Sequence, residues 1–251
     1  MVLQPATTEG ADRSVNHAGA RELIVALDVP SGTEAMALVQ KLDNLVRWFK
    51  VGLELYLAEG NRIVEEVRKR GHSVFLDLKL HDIPNTVAGA VRSVSKSGAE
   101  LLTVHAAGGP AMLSAAQGAA AEGASALKLL AVTVLTSMDA AQLDATGVFS
   151  PTSDQVLRLA GLAHEGGIRG LVASSHETAP LRAAYPESTL VIPGIRPLGA
   201  NTGDQKRVAT PASAIADGAD YLVVGRPITQ AADPAAAAQA ILDEMAAAAK
   251  R

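Results

Sequence analysis

The stretch Phe75-Leu-Asp-Leu-Lys-Leu-His-Asp-Ile-Pro-Asn-Thr86 places three charged side chains in an apolar, strand-like run. Alternate residues of a strand share a face, so Asp77 and Lys79 are predicted to project one way and the intervening leucines the other. Pro84 ends the strand and, following Asp82 in capping range, indicates the start of a helix. Burying a carboxylate is costly unless it is paired, so Lys79 between Asp77 and Asp82 indicates a charged cluster. A purely structural ion-pair ladder is the alternative.

Length and composition favour one large domain. The chain has 251 residues, a net charge of −4 and no cysteine. A single domain of about 250 residues is typical of the eight-stranded α/β barrel. The charge, without any basic run or RNA-reading motif, argues against a nucleic-acid partner, and the lack of cysteine excludes disulfides, thiolate metal sites and a cysteine nucleophile.

The first 20 residues are polar and carry no signal-peptide pattern. We therefore predict a disordered tail over 1–20, a catalytic domain over 21–251 and a cytoplasmic location. Residues 101–121 contain no Asp, Glu, Lys or Arg, but Gly108-Gly109-Pro110 interrupts them. That interruption indicates a strand, a loop and a helix rather than a membrane span, so no membrane partner is expected.

Short apolar runs alternate with helical patterns along the rest of the chain. The candidate strands begin near Leu23, Arg47, Ser73, Leu101, Leu127, Gly170, Thr189 and Tyr221. Candidate helices include 33–45, 58–70, 87–97, 153–165 and 234–250. This order predicts eight βα units and hence a single-domain (β/α)8 TIM barrel. A Rossmann-type fold is the rival, but the first strand is not followed by its glycine motif, and there is no P-loop sequence.

In such barrels the chemistry lies at the C-terminal ends of the strands. The polar residues that end the candidate strands are, in chain order, Asp28, Lys50, Asp77 with Lys79, His105, Thr136 with Ser137, Ser174 with Ser175, Gly194 with Arg196, and Gly225 with Arg226. The last two strands usually supply a phosphate site, a role that Arg196 and Arg226 fit better than that of solvated surface charges. The Gly- and Asn-containing segment 197–207 is typical of a mobile lid.

Two further interpretations concern the histidines. A metal site of Asp77, His81 and Asp82 is disfavoured, since Lys79 and Lys50 would add positive charge where a divalent cation needs negative or neutral ligands. His105 is interpreted as a packed or hydrogen-bonded wall residue rather than a base.

The run Asp77-Leu-Lys-Leu-His-Asp-Ile-Pro-Asn-Thr86 resembles the signature of the orotidine 5′-phosphate decarboxylase family. Further blocks resemble that family in the same order: Ala26-Leu-Asp-Val29, Phe49-Lys-Val-Gly52, Val134-Leu-Thr-Ser137, Pro193-Gly-Ile-Arg-Pro197 and Val224-Gly-Arg-Pro227. The resemblance implies a barrel homodimer that decarboxylates orotidine 5′-monophosphate to uridine 5′-monophosphate, the last step of UMP biosynthesis. It also implies that neither a metal nor an organic cofactor takes part.

The resemblance assigns roles to individual residues. It implies a catalytic tetrad of alternating charge, made of Lys50, Asp77, Lys79 and Asp82, with Asp82 supplied by the neighbouring subunit. Asp28 and Lys50 are expected to hold the ribose, while Thr136 and Ser137 read the pyrimidine edge. The phosphate would be held by Arg196, Gln205, Gly225 and Arg226, and Thr86 would reach the partner's site together with Asp82.

The reaction indicates what Lys79 does. Loss of carbon dioxide leaves a carbanion on the ring, which needs an adjacent cation, so Lys79 is the candidate electrostatic partner and proton donor.

Three other functions remain open. A related barrel that decarboxylates or aldol-joins sugar phosphates would use the same Asp-x-Lys-x-x-Asp spacing around magnesium. Those enzymes look to carry Glu at the position of Lys50, so Lys50 argues against this function. A Schiff-base aldolase needs a neutral Lys79, which flanking carboxylates disfavour. A non-catalytic nucleotide-binding protein would have little reason to keep Lys79 between two carboxylates.

Overall fold

A computed structural model of the chain describes residues 21–122, 126–197 and 209–249. Its strands are β1 (Glu22–Ala26), β2 (Trp48–Gly52), β3 (Ser73–Leu80), β4 (Leu101–His105), β5 (Lys128–Val132), β6 (Gly170–Val172), β7 (Thr189–Ile192) and β8 (Tyr221–Val224). They form one closed barrel in chain order, each strand parallel to the next, and β8 pairs with β1. The predicted (β/α)8 barrel is therefore confirmed.

Helices surround the barrel. They are α1 (Gly32–Leu42), α2 (Leu53–Glu59), α3 (Asn61–Lys69), α4 (Pro84–Ser95), α5 (Gly109–Ala121), α6 (Ala140–Ala145), α7 (Thr152–Glu165), α8 (Thr178–Ala184), α9 (Pro211–Ala216), α10 (Arg226–Thr229) and α11 (Pro234–Ala249). The prediction of one helix over 58–70 is wrong, because Gly60 adopts φ 61° and separates α2 from α3. A left-handed residue cannot continue a right-handed helix, and glycine takes that conformation at little cost.

Apolar side chains fill both faces of the strands, as expected for parallel strands covered by helices. One cluster lies between the barrel wall and the helices and contains Val25, Val51, Leu76 and Leu102. A second cluster fills the inside of the barrel and is made of Ile24, Ala26, Trp48, Phe75, Leu101, Leu130, Val191 and Val223. These packed side chains close the interior of the barrel, and a cavity remains at the C-terminal ends of its strands.

The end of β3 leads directly into α4. That helix begins at Pro84, as predicted, but Asp82 does not cap it. The N-cap residue is Ile83, whose backbone N–H donates to Asp82 Oδ1 at 2.6 Å. Asp82 therefore binds its own chain neighbour rather than an amide of the first helical turn.

Residues 101–121 form β4, a 3₁₀ turn over Ala106–Gly108 and α5, as the interrupting glycines predicted. Among the helices of the described ranges, none combines the length and hydropathy needed to cross a bilayer. Residues 1–20 and 198–208 lie outside the described residues. The tail, the domain boundary at residue 21 and the lid therefore stay predictions.

Candidate active site

A cavity of about 510 Å³ opens at the C-terminal ends of the strands. Its apolar floor continues the inner barrel cluster and is lined by Ala26, Phe75, Val132, Val172, Val191 and Val223. Charged and polar residues stand above this floor: Asp28, Lys50, Asp77, Lys79, Thr136, Arg196, Arg226 and Gln230. Phe75, Asp77 and Lys79 follow each other at alternate positions of β3, so one strand supplies both the floor and the charges.

Four side chains of alternating sign form a continuous line along one side of the cavity, which we call the charge row: Asp28, Lys50, Asp77 and Lys79. Lys50 Nζ lies 2.8 Å from Asp28 Oδ1 and 3.5 Å from Asp77 Oδ2. The other oxygen of Asp77, Oδ1, accepts from Lys79 Nζ at 2.8 Å. The prediction that Asp77 and Lys79 share a face is thus confirmed.

Burial and neighbouring charges have opposite effects on the pKa values of Lys50 and Asp77 in this row. Burial by itself would lower the pKa of the Lys50 ammonium, but the charges of Asp77 and Asp28 outweigh it and raise that pKa above its ordinary value. Burial would likewise raise the pKa of the Asp77 carboxyl, yet Lys50 and Lys79, with hydrogen bonds from Lys79 and Thr103, hold it below the usual value. Both groups are therefore charged at neutral pH.

The strand that carries Asp77 and Lys79 is irregular. Its pairing with β4 shifts between Leu76 and Leu80, and Lys79 adopts φ 49°, the one positive φ of a non-glycine residue in the described part of the chain. Buried Thr103 of β4 binds at this irregularity, accepting from the Lys79 N–H and donating to Asp77 Oδ1. We had not predicted a role for Thr103, although its position between Leu101 and His105 on the inward face of β4 was a usable signal.

The ends of β7 and β8 carry the two arginines predicted to hold phosphate. Buried Arg196 follows β7, and its Nη1 donates to the carbonyl oxygen of Ile195 at 2.8 Å. Arg226 begins α10 directly after Gly225, and both residues line the cavity. Gln230, one helical turn beyond Arg226, also lines it and was not predicted.

Not every predicted site residue lies in this cavity. Thr136 lines it, but its neighbour Ser137 is exposed and does not. Asp82, on the β3–α4 connection, and Thr86, in the first turn of α4, are also exposed and do not line the cavity of their own chain. Lys79 consequently pairs with Asp77 but not with Asp82 inside one chain, which corrects the simple picture of a lysine between two carboxylates. Gln205 lies outside the described residues.

His105 and His81 stack near the end of β4, with ring centroids 5.4 Å apart. Burial, followed by the charges of His81 and Lys79, lowers the pKa of His105. Its imidazole is therefore neutral at neutral pH, and its role as a wall residue stays a prediction.

Comparison with known proteins agrees with this geometry. Residues 21–241 match the model of the "Orotidine 5'-phosphate decarboxylase / HUMPS family". The orotidine 5′-phosphate decarboxylase of Anaeromyxobacter sp. (strain K) is 54% identical over 220 residues, covering 87% of this chain and 96% of that protein. That of Halorhodospira halophila is 52% identical over 231 residues, covering 92% and 98%. The crystal structure of the Lactobacillus acidophilus enzyme of the same name superimposes with a TM-score of 0.80 at 38% identity, covering 90% of this chain and 99% of that one.

A TIM barrel with a charged cavity at the C-terminal ends of its strands is the class that the fold and site define. Since the match spans nearly the whole described barrel at more than half identity, the chain belongs to the orotidine 5′-phosphate decarboxylase/HUMPS family.

Proposed function

We propose that the chain decarboxylates orotidine 5′-monophosphate to uridine 5′-monophosphate, the last step of UMP biosynthesis. The observation that carries this proposal is the charge row, which presents the Lys79 ammonium to the cavity at 2.8 Å from Asp77. Arg196 and Arg226 line the same cavity and supply cations for the phosphate. The relatives at about half identity, which carry the name of this activity, support the assignment.

Lys50 argues against the magnesium-dependent alternative within this fold. Its Nζ lies between Asp28 and Asp77 and already neutralises the two carboxylates that a divalent cation would need. A cation placed there would meet a buried ammonium instead of a ligand. The proposed chemistry consequently needs neither a metal nor an organic cofactor.

The proposed mechanism rests on a fixed cation. Loss of carbon dioxide from the orotate ring leaves an sp² carbanion at carbon 6 that no carbonyl can delocalise, so it needs an adjacent positive charge. Lys79 supplies that charge and then donates a proton to the same carbon. The bond to carbon dioxide breaks with its electron pair left on carbon 6, and the new C–H bond uses that pair.

Repulsion between Asp77 and the substrate carboxylate is the smaller effect. Two charges about 4 Å apart in an effective dielectric of about 20 repel by about 4 kcal/mol. Enzymatic rate enhancements need about 8–23 kcal/mol, so stabilisation of the carbanion by Lys79 has to supply most of the effect. Interactions with the remote phosphate contribute by orienting the ring.

We further propose a homodimer in which Asp82 and Thr86 complete the partner's site. Both residues are exposed and outside their own cavity. The neighbouring Ile83 is 65% exposed, and Leu53, which begins α2 and lines the cavity, is 50% exposed, so a partner subunit would cover apolar side chains there. An enzyme that acts on anionic nucleotides, which do not cross membranes unaided, is also expected in the cytoplasm.

The decisive assay follows the absorbance of orotidine 5′-monophosphate in buffer containing a metal chelator. We expect the substrate to be converted to uridine 5′-monophosphate at the same rate with and without chelator. An absence of conversion would exclude the activity and leave the sugar-phosphate alternative open, and a loss of conversion on chelation would contradict the metal-independent mechanism.

A further inference from the structure

We infer that Thr103 is a positioning residue, which holds Lys79 and Asp77 in the arrangement that the decarboxylation needs. The inference rests on the proposed function for its catalytic consequence, and on the geometry of β3 and β4 for its structural part. Thr103 itself does not line the cavity, is fully buried, and acts through the two charged residues that do.

The need for such a residue comes from the register of β3. Phe75 pairs with Leu101 and Leu76 with Leu102, but the next pair joins Leu80 to Val104. Between these two pairs the chain moves on by four residues in β3 but by only two in β4. A ladder interrupted in this way leaves backbone groups without their strand partner, and a buried N–H needs another acceptor.

The Thr103 hydroxyl supplies that acceptor. The Lys79 N–H donates to Thr103 Oγ1 at 2.8 Å, and the hydroxyl donates in turn to Asp77 Oδ1 at 3.0 Å. A hydroxyl has one proton and two lone pairs, so it can satisfy both groups at once. Since Lys79 Nζ also donates to Asp77 Oδ1, the three residues form a closed ring of hydrogen bonds.

This ring determines two quantities that matter for the chemistry. It fastens the backbone of Lys79 at φ 49°, a conformation that an L-residue rarely adopts unless its surroundings impose it. It also fixes the rotation of the Asp77 carboxylate, with Oδ1 toward Lys79 and Oδ2 toward Lys50. Without the hydroxyl, the Lys79 backbone N–H loses its hydrogen-bond acceptor. The Asp77 carboxylate that binds Lys79 Nζ also loses a donor.

Two substitutions separate the hydroxyl from the methyl group. Thr103→Val keeps the shape and removes the hydroxyl, and we expect kcat to fall about 10–100-fold, as for a misplacement of a catalytic group by about 1 Å. KM for orotidine 5′-monophosphate and the Kd of uridine 5′-monophosphate should stay within about threefold. Thr103→Ser keeps the hydroxyl and leaves a small cavity, so its Tm should fall while its kcat stays within about threefold of the wild type.

The matched control is Thr133→Val. Thr133 is also a buried threonine of the barrel, and its hydroxyl donates to the carbonyl oxygen of Val172 at 2.9 Å, outside the charge row. This variant should lose stability without losing kcat.

A second measurement does not depend on turnover. Hydrogen exchange of the Lys79 amide, followed by NMR, should be slow in the wild type and in Thr103→Ser, and at least about tenfold faster in Thr103→Val. If the wild type did not convert the substrate, the proposed function would fail, and this exchange would still decide whether the hydroxyl holds Lys79.

Three outcomes would overturn the inference: unchanged exchange in Thr103→Val, unchanged kcat in that variant despite faster exchange, or an equal loss of kcat in Thr103→Ser.

Discussion

Lys50 and Lys79 stand next to the same carboxylate but are held differently. Lys50 faces two carboxylates and its side chain is 10% exposed, whereas the Lys79 ammonium pairs with one carboxylate of the described residues, Asp77, and its side chain is 32% exposed. A buried ammonium with two partners is costly to move, since a broken pair leaves an uncompensated buried charge. We therefore expect Lys79 to be the lysine that turns toward a substrate, while Lys50 stays in place and helps to keep Asp77 ionised.

Replacement of Lys79 should separate catalysis from binding. We expect Lys79→Ala to fold and to bind uridine 5′-monophosphate, while kcat falls by about 10⁴-fold or more because both the cation and the proton donor are lost. Steady-state kinetics and calorimetric binding provide the two readings. Exposed Lys69 of α3 offers the control, and Lys69→Ala should leave both unchanged. Turnover within tenfold of the wild type would remove Lys79 from the mechanism.

The last residue of β2, Gly52, lies directly against two side chains of the charge row. Gly52 follows Lys50 on the same face, and a Cβ atom built there would lie 2.9 Å from Lys50 Nζ and 3.0 Å from Asp28 Oδ1. Both atoms are side-chain ends, so they rather than the backbone would have to shift. A side chain at this position would consequently disturb the charges before it disturbed the strand.

Gly52→Ala should therefore damage activity more than stability. We expect kcat to fall about 10–100-fold through displacement of the Lys50–Asp28 pair, with little change in Tm. Gly118→Ala in α5 is the control, because a Cβ there meets no atom within 4 Å, and alanine should stabilise that helix by roughly 0.5–1 kcal/mol. A large drop in Tm with normal kcat in Gly52→Ala would show that the glycine serves the fold.

The ends of β7 and β8 provide a further part of the cavity wall, which Arg196 and Arg226 line. Arg226 begins α10 immediately after Gly225, so the strand end fixes where this guanidinium starts. In the proposed complex this guanidinium binds the substrate phosphate and does not touch the reacting carbon. Its contribution should appear only with substrates that reach it.

Arg226→Ala tests this phosphate contact. We expect kcat/KM for orotidine 5′-monophosphate to fall about 10–100-fold, the value of one or two charge-assisted hydrogen bonds, and that for the phosphate-free nucleoside to stay nearly constant. Arg158→Ala, at an exposed position of α7, is the control. Equal losses on both substrates would place Arg226 outside the phosphate site.

At the scale of the whole molecule, the proposed tetrad is incomplete within one chain, because Asp82 does not line the described cavity. Asp77 and Lys79 lie on β3, whereas Asp82 lies beyond its end on the connection to α4, exposed and bound to the Ile83 N–H. A two-fold axis would carry each such connection to the mouth of the other barrel, since interfaces of this kind are self-complementary. The proposed dimer thus accounts for a carboxylate, Asp82, that does not line the cavity of its own chain.

Mixed dimers test the shared site. Lys50→Ala and Asp82→Ala, each inactive alone, are unfolded and refolded together. Random pairing makes half of the dimers mixed, and each mixed dimer has one site with all four native groups, so activity should return to about a quarter of the wild type. Lys50→Ala mixed with Lys79→Ala is the control and should stay inactive, because both residues belong to the same chain's contribution. A Lys50→Ala and Asp82→Ala mixture that stayed inactive would contradict the shared site.

Local pattern was enough to predict the barrel and most of the cavity wall. Hydrophobic runs of strand length located all eight strands, and the polar residues ending them included Lys50, Asp77, Lys79 and Arg226. Strand periodicity placed Asp77 and Lys79 on one face. These features depend on residues close together in the chain, and side-chain alternation carries that information directly.

Contacts between distant segments were decided by the tertiary structure. Asp28 joins Lys50, 22 residues away, and Thr103 joins Asp77 and Lys79 at separations of 26 and 24 residues. The shift of register in β3 and the positive φ of Lys79 depend on the neighbouring strand β4, whose Thr103 hydroxyl accepts from the Lys79 N–H. A periodic pattern describes one strand at a time, whereas register and hydrogen bonding are properties of two strands together, so no reading of β3 alone could contain them.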